Sequence, residues 1–365
     1  MESTYHILLS VLSGSLSFIP KQVNWSELYR LSTEQGVAAL TIDVLHRFLK
    51  EHPEVEPFAE ETPKEKAERL QWLGSVVTYE KNYARHEARM ARLARLLAEG
   101  GYRMMVLKGW GLSRDWPVPE HRPVGDLDIY NFGKQQEADA YISKRCCIKA
   151  DDGHEHHTVY AFSGIIVENH YDFINVHAHR DSPTIEARLK TLAHEKYKVV
   201  EVQGTKIYLP SSNFNAIFLM RHMAQHFAGE RITLRHILDW GYYMQCHSSE
   251  VDWKSTLVFL NEIGLMTFFH QINAICVDYL GFSESTFPTI KRNTDLEERI
   301  LADILHPEFA EEKPKAGLPY ILVFKCRRWW HNRWKHTLVY KEPLLSIFLT
   351  LAWSHLKHIK TIKDQ

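Results

Sequence analysis

Between Tyr102 and Pro210 the apolar residues of this chain fall into short runs broken by glycine and proline; elsewhere they recur every three or four positions. Short runs of this kind make strands, and the longer spacing makes helices with one buried stripe. A chain so divided is expected to be α+β: a mixed sheet in the middle, helices before it and an all-helical region after it. The expected boundaries are 1–98 for the N-terminal helices, 99–210 for the sheet-bearing core and 211–365 for the C-terminal helices. Helices are expected over residues 5–50. Another follows the acidic stretch 51–63, opened by Thr62-Pro63-Lys64-Glu65 as a capping box and stopped by Gly100-Gly101. In the core, strands are expected at Tyr102–Leu107, Leu127–Tyr130 and Arg145–Lys149. Hairpins are expected around Ser163-Gly164 and Gln203-Gly204. Beyond Ser211 the pattern predicts helices to about Ala228, at Leu234–Cys246, and near 252–264, 267–280, 294–305 and 343–359.

Bulk properties narrow the classes. The chain has 365 residues, 45% apolar and 24% charged, with a formal net charge of −1. No global field draws it to nucleic acid, so any basic surface is local. Five cysteines without a CxxC spacing argue for a reducing compartment, taken as the cytoplasm, and against a disulfide framework or thiolate zinc site. No basic leader opens the sequence, and no apolar run reaches the roughly 20 residues of a membrane span.

The chemistry gathers between Met104 and Tyr130. An apolar run, Met104 to Leu107, leads to Lys108, Gly109 and Gly111; a proline-rich stretch follows, then Gly125-Asp126-Leu127-Asp128-Ile129-Tyr130. In a strand, Asp126 and Asp128 share one face and Leu127 and Ile129 the other. Two carboxylates side by side need a positive partner, and oxygen ligands suit Mg²⁺ or Mn²⁺. The third acid is expected from Glu168, which alternates with His170 and Asp172; Asp172 is the fallback. Three carboxylates on adjacent strands can hold two divalent ions. Lys108 and the backbone N–H groups after Gly109 are placed for phosphate oxygens. Arg122 would either join them or brace the aspartate loop.

LKGWGL at 107–112, HRPVGDLDIY at 121–130 and VENHYDF at 167–173 resemble the uncharacterised bacterial nucleotidyltransferase-like family of the polymerase-β-like nucleotidyltransferase superfamily. Its members carry an LKG segment, an R-P-x-G-D-[IL]-D segment and a later E-x-H strand. LPSSNFNAIFLMRHMAQHF with LRHILDW, and RWKHTLVYKEPLLSIF near the C-terminus, also look like this family, so the resemblance spans most of residues 100–360. It implies a nucleotidyltransferase-type sheet, with Asp126, Asp128 and Glu168 as metal ligands and catalytic acids. Lys108, Gly109, Gly111, Arg122, Gly125 and His170 would form the NTP-binding set. The turn here reads Gly109-Trp110-Gly111, where the superfamily has serine or glycine after the first glycine. The implied reaction moves a nucleoside monophosphate from an NTP to an acceptor: a small molecule, an RNA end or a protein.

Two rival readings come from other residues. His154, His156, His157, His170, His177 and His179 suggest a zinc hydrolase. The altered glycine turn suggests a non-catalytic nucleotide-binding or scaffold protein. His222 and His226, one helical turn apart, are expected at the interface with the sheet. Arg231 or Arg235 would reach triphosphate, and Asp239 would pair with an arginine. The Arg/Trp-rich segment 327–336 fits helix packing better than RNA binding, or than peripheral membrane contact shared with the apolar run Leu344–Leu356.

Overall fold

The computed structural model describes residues 4–15, 23–55, 62–310 and 317–348. Three helices open it: α1 (Thr4–Leu12), α2 (Trp25–Glu34) and α3 (Ala38–Glu51). The long α4 (Pro63–Glu99) starts at the expected capping box. The Thr62 hydroxyl accepts from the Glu65 N–H, and the Glu65 carboxylate accepts from the Thr62 N–H. At its far end the chain turns out through Gly101, whose φ of +81° favours glycine. Residues 56–61 of the acidic stretch before α4 lie outside the described residues.

The core runs β1 (Met105–Val106), the one-turn α5 (Trp110–Ser113), β2 (Leu127–Tyr130), α6 (Gln135–Cys146), β3 (His157–Phe162) and β4 (Ile165–His170). It continues through α7 (Ser182–Glu195), β5 (Tyr197–Val202) and β6 (Thr205–Pro210). The strand order is β3-β4-β2-β1-β6-β5. Pairs β1–β6 and β2–β4 are parallel, while β1–β2 and the two hairpins are antiparallel, so the sheet is mixed. Both hairpins turn where expected, with positive φ at Ser163-Gly164 and Gln203-Gly204. Such turns match the right-handed twist of the strands they join.

The chain adopts the expected α+β class, with three local corrections. The strand expected over Tyr102–Leu107 shortens to Met105–Val106, with single bonds from the Leu107 N–H to β2 and to the Met104 carbonyl from β6 at its ends. Arg145–Lys149 is not a strand. Residues 145 and 146 finish α6, and Cys147 caps it in the left-handed conformation. Helix α7, not expected, buries Ile185, Leu189, Leu192 and Ala193.

The C-terminal region contains α8 (Ser212–Gly229), α9 (Leu234–His247), α10 (Trp253–Glu262), α11 (Met266–Leu280), α12 (Thr294–Leu305), α13 (Leu318–His331) and α14 (Arg333–Val339). The Ser211 hydroxyl caps α8 by accepting from the Phe214 N–H at 3.3 Å. No helix among the described residues is long and apolar enough to cross a membrane. The expected helix at 343–359, like the run Leu344–Leu356, lies mostly outside the described residues.

Two apolar cores flank the sheet. One face carries Val106, Leu127, Ile129, Val167 and Ile207 against Met90, Leu93 and Leu97 of α4. The other carries Met105 and Tyr130 into a larger core shared by α1–α3 and α8–α12. The period-two alternation of β2 thus directs Leu127 and Ile129 under α4 and leaves Asp128 on the face toward α8 and α9.

Candidate active site

The site is built by strand register. Parallel pairing of β2 with β4 sets Asp128 opposite Glu168 and Tyr130 opposite His170. Antiparallel pairing of β3 with β4 sets His157 opposite His170. Asp128, His157, Glu168 and His170 therefore meet on one face although 29 or more positions separate Asp128 from the other three. Lys108 reaches them from the end of β1. Gly109 follows with φ +55° and ψ −109°, a conformation that favours glycine, and a Cβ there would stand 3.6 Å from the Asp126 carbonyl.

The buried Asp128 carboxylate is the hub. Lys108 Nζ lies 2.8 Å from its Oδ1, and His170 Nε2 lies 3.1 Å from the same oxygen. His170 Nε2 is also 3.8 Å from Glu168 Oε2. At the other side of the ring, Nδ1 sits 3.1 Å from the Asp172 carbonyl, which can only accept, so Nδ1 carries a proton. Nε2 then either donates a second proton to the acids or presents its lone pair to a cation. This arrangement orients a ligating imidazole.

Burial alone would raise Asp128, but Lys108 and His170 beside it more than reverse that and hold it well below the usual carboxylate range. For Glu168, burial and then the charge of Asp128 outweigh the Lys108 charge and push it up to about 7. Asp126 is also raised, by burial and by Asp128. One ionised and one poised carboxyl beside an imidazole make a site that a divalent cation would stabilise in its fully charged form.

Among the described residues, two sets offer three ligand atoms within 4.8 Å of one another: Asp128–Glu168–His170 and His156–His157–His170. Asp126 belongs to neither set; it precedes β2 and lies exposed at the mouth of the same cavity. Two carboxylates with one imidazole fit Mg²⁺ or Mn²⁺, the latter accepting nitrogen more readily.

Above the acids is a cavity of about 380 Å³. Its floor includes Lys108, Gly109, Gly125, Asp126, Asp128 and Glu168, and its roof includes His222, Met223 and His226 of α8 with Arg235 and His236 of α9. His222 and His226 thus stand at the expected interface, with ring centroids 4.4 Å apart. Burial, then the Lys108 charge, holds His222 far below the ordinary histidine range. A larger, shallower hollow of about 720 Å³ beside Trp334 and Lys341 lies away from the acids.

Several expected site residues take other places. Arg122 also borders the cavity, but its Nε and Nη2 donate to the two Asp239 oxygens at 2.7 and 2.8 Å, with Trp116 Nε1 donating at 2.8 Å. Its guanidinium braces the aspartate loop onto α9, the second of the two roles the sequence left open, and supplies the arginine expected for Asp239. Gly111 donates its N–H to the Lys108 carbonyl and lines a separate hollow on the far side of α5. Trp110, in the altered glycine turn, is buried and donates to Glu87 at 3.0 Å. Asp172 lies past the end of β4 and pairs with Lys190, away from the acid cluster. His177 is exposed, while His179 stacks on Tyr340 at 3.7 Å, so neither joins the other histidines. Arg235 is half-buried on the cavity wall, and among the described residues no ion pair within 4.0 Å closes on it. In the Arg/Trp-rich segment, the Trp334 ring lies 3.9 Å under the Arg299 guanidinium of α12, and Lys335 pairs with Asp303 with both side chains 1% exposed. Packing accounts for these two residues.

A mixed sheet thus presents acids and a lysine to a cavity roofed by helices. The chain belongs to the uncharacterised nucleotidyltransferase family, whose model matches residues 21–281. The chain is also similar to the crystal structure of an antigenic nucleotidyltransferase-like protein from Paracoccidioides brasiliensis. That match has 12% identity and a TM-score of 0.35, and covers 56% of this chain and 96% of the other. Comparison with curated protein sequences returns no match.

Proposed function

We propose that this chain is a nucleotidyltransferase that uses Mg²⁺ or Mn²⁺ to move a nucleoside monophosphate from an NTP to an acceptor, releasing pyrophosphate. The observation that supports it most is the Asp128–Glu168–His170 cluster beside Lys108 on a cavity floor, in a chain of this family. Asp128, Glu168 and His170 would hold the ion, with Asp126 joining from the cavity mouth. When bound, the ion would neutralise phosphate charge and acidify the attacking hydroxyl.

The chain's own residues do the rest. Lys108, pinned on Asp128 in the free protein, turns to the phosphate oxygens. Gly109 and Gly125 let the backbone approach the nucleotide, and Arg235 adds a cation from the cavity wall. The acceptor oxygen attacks the α-phosphorus, the bond to the bridging oxygen breaks, and the Glu168 carboxylate is the group placed to take the hydroxyl proton. Alignment and charge complementarity supply most of the acceleration. Residues 99–210 carry the acids, while 1–98 and 211–365 brace them and shape the acceptor side. The acceptor is a small molecule, an RNA end or a protein side chain, and five unpaired cysteines agree with a cytoplasmic setting.

The test is transfer of an α-labelled phosphate from each of four NTPs to acceptors in a cell lysate, with Mg²⁺ or Mn²⁺. Wild type is expected to label an acceptor. Asp128→Asn is expected to lose at least about 100-fold of that activity while keeping its circular dichroism. NTP binding with no transfer to any fraction would leave a nucleotide-binding scaffold instead.

A further inference from the structure

We propose that His156, His157 and His170 form a second, nitrogen-rich cation site that takes a zinc-class transition ion. It goes beyond the transfer reading, because its ligands and chemistry differ from those of the acid cluster. One ligand atom from each imidazole lies within 4.8 Å of the other two. The fold brings them together in two ways. His157 opens β3 directly opposite His170 on β4, and His156 is anchored one residue earlier, where its carbonyl accepts from the Tyr171 and Asp172 N–H groups. The rings of His156 and His157 stand edge to face at 4.4 Å, and each lies within 5.5 Å of the His170 ring.

A second observation points to a ligand. The Nδ1 atoms of His156 and His157 are buried and have no hydrogen-bond partner. His157 is 8% exposed and His170 only 2%, so water does not readily replace a partner. His170 is already set for ligation, since its Nδ1–H is held by the Asp172 carbonyl and its Nε2 faces inward. Three neutral imidazoles are a poor host for Mg²⁺ and a good one for Zn²⁺, Co²⁺ or Ni²⁺. A carboxylate also borders the set, with Glu168 Oε1 3.9 Å from His157 Nε2. His170 has only Nε2 left to offer, so an ion held by the three imidazoles takes that nitrogen from Asp128 and Glu168. The two sets are alternative homes for a cation around one shared ring.

Metal-stripped full-length protein would be dialysed against Zn²⁺ in the presence of excess Mg²⁺, and its retained zinc measured by elemental analysis. In parallel, Co²⁺ would be titrated while its visible d–d absorption is followed. Wild type is expected to retain one equivalent of zinc and to give intense, low-coordinate Co²⁺ bands. H156Q/H157Q is expected to weaken binding at least about tenfold with an unchanged melting temperature. H156Q alone serves if the double variant does not fold, because His156 precedes the strand. His177→Gln, exposed and apart from both sets, is expected to bind zinc as wild type does. Substoichiometric zinc, octahedral-type Co²⁺ bands, or wild-type affinity in the histidine variants would each overturn the site. Transfer of labelled phosphate in Mg²⁺ alone is scored separately, so either reading can fail without the other.

Discussion

Asp239 is the residue on which the aspartate loop hangs. It is buried, accepts two guanidinium bonds from Arg122 and one from the Trp116 indole, and anchors residues 116–122 to α9. Burial alone would raise it, but the Arg122 guanidinium holds it below the usual carboxylate range. Removing one member of such a pair strands the other in low dielectric. Arg122→Met is therefore expected to lower unfolding free energy by about 3–5 kcal/mol, as measured by urea denaturation. Arg122→Met with Asp239→Leu removes both charges and is expected to lose clearly less. A double variant no more stable than the single would show that the pair's contribution lies in shape and not in charge compensation. These partners are 117 positions apart. An arginine partner for Asp239 was legible from burial chemistry alone, but which arginine depends on how α9 packs, and that is not a local property.

At the scale of elements, what is legible is what is locally encoded. The capping box at Thr62 and Glu65, the two glycine turns and the alternation of Leu127, Asp128 and Ile129 each act within a few residues, and each marks its element in the sequence. Helix α7 was also written locally, in the spacing of Ile185, Leu189, Leu192 and Ala193, but Pro183 and the short apolar stretches around it mask the period. What a single strand does not carry is its neighbour. Nothing near His157 announces that it will face His170, because β3–β4 register and β2–β4 pairing are settled by the whole sheet. The same holds for His121. It sits in a short 3₁₀ turn at Pro119–His121 and bridges Asp43 of α3 and Glu80 of α4, the latter at 3.2 Å. Burial works against its charged form, yet the Asp43 and Glu80 carboxylates raise its pKa above the ordinary value. A histidine raised on folding stabilises fully below its unfolded pKa of about 6.5, and that stabilisation is lost as pH rises through the folded value. The wild-type melting temperature is expected to fall relative to His121→Gln as pH is taken upward from 6.5. Parallel curves for the two proteins across that range would remove the bridge from the stability account.

For the molecule as a whole, the N-terminal helices meet the helices that follow the sheet. Helices α1–α3 do not form a core apart; they share theirs with α8–α12. Gln35, just past α2, ties the arrangement: its amide donates to the Ile304 carbonyl at 3.0 Å and its oxygen accepts the Leu234 N–H at 2.9 Å. That N–H opens α9, the helix that holds Asp239 and one wall of the cavity. A disturbance in the N-terminal helices should therefore reach the roof of the acid site without touching an acid. Gln35→Ala leaves two buried backbone groups unpaired, each worth about 1–3 kcal/mol. Hydrogen exchange followed by mass spectrometry is expected to show faster exchange in both α2 and the first turn of α9. Protection in the β2–β4 strands, whose ladder lies on the other side of the roof, should hold. Faster exchange confined to α2 would mean that the two helical regions touch without being coupled through Gln35.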